Sequence, residues 1–219
     1  AALINTGQDC TAATRAIVAP SLYDDFVAGV AEVMGKIVVG EPHDPDTDIG
    51  PLISEAHRQK VAGIVERAPQ EGGRIVCGGK APDRPGSFYL PTLIADVSEQ
   101  SEAYRKEIFG PVLTVRTFTD DDDAIRQAND TEYGLAASAW TRDVYRAQRA
   151  SREIHAGCVW INDHIPIISE MPHGGLGASG FGKDMSDYSF EEYLTIKHVM
   201  SDITGKVEKD WHRTVFAKR

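Results

Sequence analysis

The chain has 219 residues, with 23 Lys and Arg against 33 Asp and Glu and a formal net charge of −10 at pH 7. Its 26% charged and 42% hydrophobic shares are those of a globular domain. The acidic balance argues against a nucleic-acid or anionic-membrane partner, since both require a basic face, and no apolar run approaches the roughly 18 residues a membrane span needs.

The predicted elements alternate along the chain. Arg15 to Ala19 reads as a strand ended by Pro20. Ser21-Leu22-Tyr23-Asp24 has capping-box form and opens an amphipathic helix with Phe26, Val30, Val33 and Ile37 near helical spacing. A Pro- and Asp-rich loop over 40–51 follows, and Ser54 is placed to cap a second helix running to about Glu71. Arg74 to Cys77 and Thr92 to Ala95 read as strands, as does Pro111 to Phe118. Asp120 to Asp123 lead into a helix. Ala136 to Thr141, a helix from Asp143 to His155, and Cys158 to Asn162 complete the series. Such alternation predicts an α/β fold, a parallel sheet covered by helices on both faces in three layers. Tyr193 to Met200 alternates well enough to be a late strand, and the tail from Asp202 is polar, with Trp211 its one large apolar anchor.

Three cysteines, Cys10, Cys77 and Cys158, are far apart and odd in number. They fit neither a disulfide framework nor a zinc site, and a reducing, cytoplasmic compartment is the simplest reading. The opening Ala1-Ala2-Leu3-Ile4-Asn5 has no Met and no basic n-region, so the chain reads as part of something longer.

Cys10 follows Gly7-Gln8-Asp9 and precedes Thr11-Ala12-Ala13. If the small residues begin a helical turn, backbone N–H groups and the helix dipole would favour a thiolate there, making Cys10 a candidate nucleophile. A small buried thiol without chemistry is the competing reading. Cys77 and Cys158, inside strand-like runs, are expected to be inert. Gly174 to Asp184 contains G-x-G-x-x-G at Gly175, Gly177 and Gly180 and a near P-loop ending at Lys183. No strand precedes it, and Asp184 would repel a phosphate, so it reads as a loop that lets backbone pass close to another element. The Asp120–Asp123 run lacks the spacing of a calcium loop and fits a helix N-terminus. His155, His164 and His173, with Asn162, leave open a thiol hydrolase that uses Cys10 and a distant base. A non-catalytic oligomerising domain is a third reading.

Several stretches then coincide. Leu3 followed by Gly7-Gln8-Asp9-Cys10 resembles the cysteine signature of the aldehyde dehydrogenase family. Glu107-Ile108-Phe109-Gly110-Pro111-Val112, Tyr133-Gly134-Leu135-Ala136, Gly157-Cys158-Val159-Trp160-Ile161-Asn162 and Pro172-His173-Gly174-Gly175 with Ser179-Gly180-Phe181-Gly182 are similar to its later blocks in order. The likeness covers about residues 1 to 200. Within the family, Glu170 to Gly175 and Gly182 to Ser186 look most like the aminobutyraldehyde dehydrogenases of putrescine breakdown.

The resemblance implies NAD(P)+-dependent oxidation of an aldehyde to a carboxylate, with an ω-amino aldehyde such as 4-aminobutanal as substrate, NAD as cofactor and NADP as the alternative. It implies Cys10 as nucleophile through a thiohemiacetal and a thioester, Glu107 on the nicotinamide ribose and Phe109 beside the nicotinamide. His173, Ile165 and Ile167 would line the aldehyde pocket, and Asp184 would stand at a proton relay with a shorter carboxylate than relatives carry. Asp163 and Glu170 are the acidic residues near that pocket that would meet an ammonium group, although sequence alone does not place them, whereas Trp160 and Asn162 read as structural braces. No metal is implied. Residues 1–190 would form the catalytic domain, 191–201 an oligomerisation strand in a dimer or tetramer, and 202–219 a polar tail. The family's nucleotide-binding units lie upstream of the signature cysteine and have no counterpart here, so the 219-residue polypeptide alone is expected to show little turnover.

Overall fold

The computed structural model describes residues 1–214. Among the described residues, six strands and six α-helices are formed: β1 (Arg15–Val18), α1 (Tyr23–Lys36), α2 (Glu55–Arg67), β2 (Arg74–Cys77), β3 (Thr92–Ala95), α3 (Glu102–Arg105), β4 (Val112–Thr117), α4 (Asp121–Asn129), β5 (Ala136–Ala139), α5 (Val144–Glu153), β6 (Cys158–Ile161) and α6 (Ser186–Glu192). Four strands make one sheet in the order β1-β4-β3-β2, and β5 and β6 make a separate parallel pair.

Alternation along β3 and β4 divides the core. Leu93, Ala95, Leu113 and Val115 face α1, where they meet Val27 and Met34, whereas Ile94 and Val112 face α2, where they meet Val61, Ile64 and Val65. Both helices therefore cover the same strands from opposite sides, the arrangement that a parallel sheet buried on both faces requires. α4 packs on β1 and α5, and α5 on the β5–β6 pair. The buried threonines of the central strands are satisfied by backbone carbonyls: Thr114 Oγ1 donates to the Thr14 carbonyl, 100 residues away, at 3.0 Å and Thr92 Oγ1 to the Leu90 carbonyl at 2.8 Å.

Five sequence expectations are corrected. β2 runs antiparallel to β3, with a bulge between Ile75 and Cys77. A parallel neighbour needs a crossover, usually helical, but the chain from Gly78 to Pro91 turns straight back with Gly78 and Gly79 at φ 71° and 75° and no helix. Ser21 does not cap α1; it lies in a 3-10 turn, Pro20–Leu22, and its side chain makes no cap bond. Val33 is 62% exposed, because the buried stripe of α1 runs through Val27 and Met34. Tyr193 to Met200 forms no strand within the chain: the segment leaves α6 as an exposed stretch, with Tyr193 at 91% and Ile196 at 84% exposure. Trp211, taken as an anchor, is largely exposed with its ring against His212, and residues 215–219 lie outside the described part.

Other local readings hold. Ser54 caps α2 by accepting from the His57 amide, Asp120 caps α4 through the Asp123 amide, and Asp143 caps α5. The Asp run is thus a capped helix start whose acids pair with Arg126, Arg146 and Arg149. The Asp123 carboxyl is held down at about 2, first by the Thr119 amide and then by Arg126. The Gly-rich segment passes against other backbone as expected: a Cβ on Gly157 would stand 1.6 Å from the Gly174 carbonyl oxygen, and Leu176 and Ala178 donate to the carbonyls of Gly134 and Glu132. Among the described residues no helix is long and apolar enough to cross a membrane.

Candidate active site

The loop that carries Cys10 is built from a tight turn, Ile4–Gly7, in which Asn5, Thr6 and Gly7 take φ of 47°, 59° and 73°. Asn and Gly tolerate that region, whereas a β-branched Thr does not without strain of about 1–3 kcal/mol. Surrounding bonds over-determine it. Thr6 Oγ1 donates to the Gly50 carbonyl at 3.1 Å, and Gln8 Oε1 accepts from the Ile53 amide at 2.8 Å. Asp9 then closes a turn around Cys10, its Oδ1 accepting both from the Thr11 amide at 2.7 Å and from the Thr11 hydroxyl. Thr11 is buried, and Cys10 is the exposed tip of the turn.

No helix follows Cys10. Thr11-Ala12-Ala13 make one turn, the Ala12 amide donating to the Asp9 carbonyl, and the chain then enters β1. The helix-dipole argument for a thiolate therefore falls, because there are no aligned peptides beyond that turn to sum. What the loop offers is exposure of the sulfur and a Cys10 backbone N–H with no acceptor among the described residues.

Gly7 brings a second loop to this one. A Cβ at Gly7 would stand 2.0 Å from the Gly110 carbonyl oxygen, so the 107–111 segment lies against the base of the cysteine turn. In that segment Ile108 is buried, Phe109 is half-buried at φ 58°, and Glu107 is exposed, its carboxylate without a partner among the described residues. His57 Nε2 stands 2.6 Å from the Phe109 carbonyl, bracing the left-handed Phe. Glu107, Phe109 and Cys10 thus belong to two loops in direct backbone contact.

The segment after β6 contributes the third side. Asn162, at φ 56°, pairs with Thr141 through both amide atoms, at 2.7 and 2.8 Å, and Trp160 Nε1 donates to the Pro166 carbonyl at 2.9 Å. Both therefore brace the backbone. Ile165 has φ 88°, a further strained β-branched residue, and Ile167 is 39% exposed. His173 lies at the far end of this segment, half-buried and paired by backbone with Asp184, at 2.8 Å from its amide to the Asp184 carbonyl. The Asp184 carboxylate is exposed and accepts from the Met185 amide. No hydrogen bond or ion pair among the described residues joins His173 or Asp184 to Cys10.

Sequence reasoning missed two supports, His57 under Phe109 and His164 under Thr11, whose Nε2 lies 2.7 Å from the Thr11 carbonyl. Neither has a local signal, since the partners lie 52 and 153 residues away. No histidine ring reaches Cys10 Sγ among the described residues, and the His164 ring is committed to a carbonyl rather than to sulfur. That geometry does not supply the base that a thiol hydrolase requires.

The three cysteines differ in setting. Cys77 and Cys158 are half-buried, and burial pushes both thiols up. Iodoacetamide should therefore alkylate Cys10 at least about tenfold faster than either, because a buried thiol with a raised pKa holds little thiolate. Time-resolved alkylation with mass mapping checks this, and equal rates at the three positions would contradict it.

A family model described as "Aldehyde dehydrogenase family" matches residues 1–199. The chain belongs to the aldehyde dehydrogenase family. It is 45% identical over 195 residues to succinate-semialdehyde dehydrogenase (NADP+) 1 of Mycobacterium tuberculosis, covering 89% of this chain and 43% of that protein. It is 38% identical over 202 residues to the chloroplastic betaine aldehyde dehydrogenase of Beta vulgaris, covering 91% and 40%. Among solved structures it resembles betaine aldehyde dehydrogenase from Staphylococcus aureus in complex with NAD+, with a TM-score of 0.86 and 36% identity over 93% of this chain and 42% of that one. This aldehyde dehydrogenase chain thus spans about two-fifths of the length of the relatives it matches.

Proposed function

We propose that this chain is the nucleophile-bearing catalytic part of an NAD(P)+-dependent aldehyde dehydrogenase. The observation that carries the reading is the exposed Cys10 at the tip of a turn wedged by Gly7 against the Glu107–Phe109 loop. The family relatives supply the reaction class.

The two loops suit a nicotinamide dinucleotide. A ribose diol presents hydroxyl donors, and Glu107 offers an exposed, unpartnered carboxylate to accept them, with the Phe109 ring two residues on as an apolar wall. When bound, that group supplies the two-electron oxidant. Cys10 contributes the sulfur that adds to the aldehyde carbon to give a tetrahedral adduct, and its own backbone N–H is available to the oxygen that becomes charged. The acyl group held on sulfur after oxidation is released to water as carboxylate, which returns the thiol. Asp184, exposed at the end of the His173 pairing, is proposed only as a surface stage of proton exit.

For the substrate we favour an aldehyde with a cationic tail, of which an ω-amino aldehyde such as 4-aminobutanal is the leading case. Relatives act by name on succinate semialdehyde, an anion, and on betaine aldehyde, a cation. Glu170 shares a hollow of about 320 Å³ with Asp187, Glu191, Ser186 and Tyr188. Three carboxylates there favour the cation. Glu170→Gln in the active enzyme should raise KM for amino aldehydes about two- to tenfold, the loss of one ion-pair contact of up to about 1.4 kcal/mol, with neutral aldehydes of equal length unchanged. Equal effects on both would remove the charge argument.

The exposed segment 195–200, whose backbone makes no hydrogen bond among the described residues and which leaves Ile196, Val199 and Met200 open to solvent, supports pairing with a second subunit in a homo-oligomer. The direct test of the function is aldehyde-dependent NAD(P)H formation by the chain joined with a nucleotide-binding half. Peptide hydrolysis without nicotinamide, with no aldehyde-dependent NAD(P)H formation by the joined enzyme, would overturn the reading.

A further inference from the structure

We propose that His164 is a positioning residue for Cys10, clamping the cysteine turn to the β5–β6 sheet; the inference rests on Cys10 being the nucleophile. The turn has a local half and a long-range half. Locally, Asp9 holds the amide and hydroxyl of Thr11 and so shapes the turn with Cys10 at its tip. Those bonds span two residues and set the turn's shape; its flanks are tied at Gln8, to the Ile53 amide, and at Thr14, to Thr114, but neither tie reaches residues 10–13 themselves. The long-range half is His164 Nε2, 2.7 Å from the Thr11 carbonyl and 153 residues along the chain.

The chemistry assigns the ring. A carbonyl oxygen only accepts, so Nε2 carries the proton, and in the neutral imidazole Nδ1 is left to accept the Ser138 hydroxyl at 3.0 Å. Ser138 lies on β5. The ring is further held against Trp160 of β6, centroids 4.8 Å apart, while the Asp163 carboxylate accepts the His164 amide at 2.8 Å. Every atom through which His164 is held thus belongs to the β5–β6 layer or to the segment leaving it, and the one atom it holds belongs to the cysteine loop. A sulfur nucleophile displaced by 1 Å can lose about a hundredfold in rate, and Cys10 Sγ has no side-chain partner of its own among the described residues. Both ring nitrogens of His164 are committed, to the Thr11 carbonyl and the Ser138 hydroxyl, so its part is to position the turn and not to take a proton from sulfur.

The test compares His164→Leu, which removes the donor, with His164→Gln, whose side-chain amide can donate at a similar reach. Hydrogen exchange read on the whole chain should rise at least about tenfold over residues 8–13 in the Leu variant, stay unchanged across β3 and β4, and return toward the parent value in the Gln variant. In the active enzyme the Leu variant should lower kcat about tenfold with the KM for the nicotinamide substrate unchanged, and the Gln variant should recover most of it. Unchanged protection over residues 8–13 in the Leu variant would overturn the proposal. So would a kcat loss that the Gln variant does not relieve. If the Leu variant loosens the core as well, the Gln variant against Ser138→Ala decides: protection kept in the first and reduced in the second supports the clamp, and the reverse refutes it. If the parent oxidises no aldehyde, the functional reading fails, while the exchange comparison still reports on the clamp.

Discussion

Cys10→Ala should lower aldehyde-dependent NAD(P)H formation by at least about a thousandfold in the active enzyme, the scale on which loss of a covalent nucleophile is felt. Nothing nearby can replace the sulfur. Cys77 sits on β2 with its sulfur 3.9 Å from Met34 Sδ in the α1-facing core, and Cys158 opens β6; burial raises both thiols and turns them from solvent. Cys10→Ser should be almost as damaging, since a hydroxyl with no base in reach stays protonated. The fold should tolerate either change, because the Cys10 side chain makes no hydrogen bond and bears no packing load at the exposed tip. Steady-state rates with a neutral and a cationic aldehyde, beside a thermal melt, check both halves. Residual activity within tenfold of the parent would show that Cys10 is not the nucleophile.

Gly7→Ala should destabilise the chain by about 2–5 kcal/mol. Two costs combine. The residue holds φ 73°, where a Cβ costs about 1–2 kcal/mol, and the new Cβ would stand 2.0 Å from the Gly110 carbonyl oxygen and 2.3 Å from its carbon. Backbone cannot swing aside as a side-chain tip can, so the 107–111 loop must move, at an overpacking cost of about 1–3 kcal/mol. For a domain near this size that is a fall in Tm of roughly 4–20 °C. The same movement carries Glu107 and Phe109 away from Cys10, so the KM for the nicotinamide substrate should rise in step. Gly29→Ala is the control: Gly29 lies inside α1 with nothing within 4 Å of its Cβ position, and the substitution should be neutral or stabilise by up to about 1 kcal/mol. Equal losses at the two glycines would show that the close approach at Gly7 carries no strain.

Much of this molecule is written locally. The strands from Arg15, Arg74, Thr92, Val112, Ala136 and Cys158, and the helices capped by Ser54, Asp120 and Asp143, were legible because period, cap and turn residues act within a few positions of one another. So were the inert settings of Cys77 and Cys158, the role of the Gly174–Gly182 loop as a close backbone passage, and the family itself, since its blocks are contiguous runs. The edge direction of β2 was a different matter. It depended on whether the Gly78–Pro91 connection carried a crossover helix, and that loop's path was decided by the strand it returned to. Ser21 failed because a 3-10 turn over Pro20–Leu22 precedes α1, and Val33 because the core-facing stripe of α1 runs through Phe26, Val27, Val30 and Met34.

By itself, then, the sequence determined the six strands and the four longer helices in order, though not the short α3 and α6, together with the α/β class and the one cysteine set in a small-residue turn after a glycine. Only the tertiary structure decided what stands around that cysteine: no helix behind it, the Gly110 carbonyl against Gly7, His57 under Phe109, and His164 under Thr11. Those neighbours are joined across 52 to 153 residues of chain. A contact at that separation leaves no periodicity or spacing to read, because it exists only once packing on both faces of the sheet has brought the loops together.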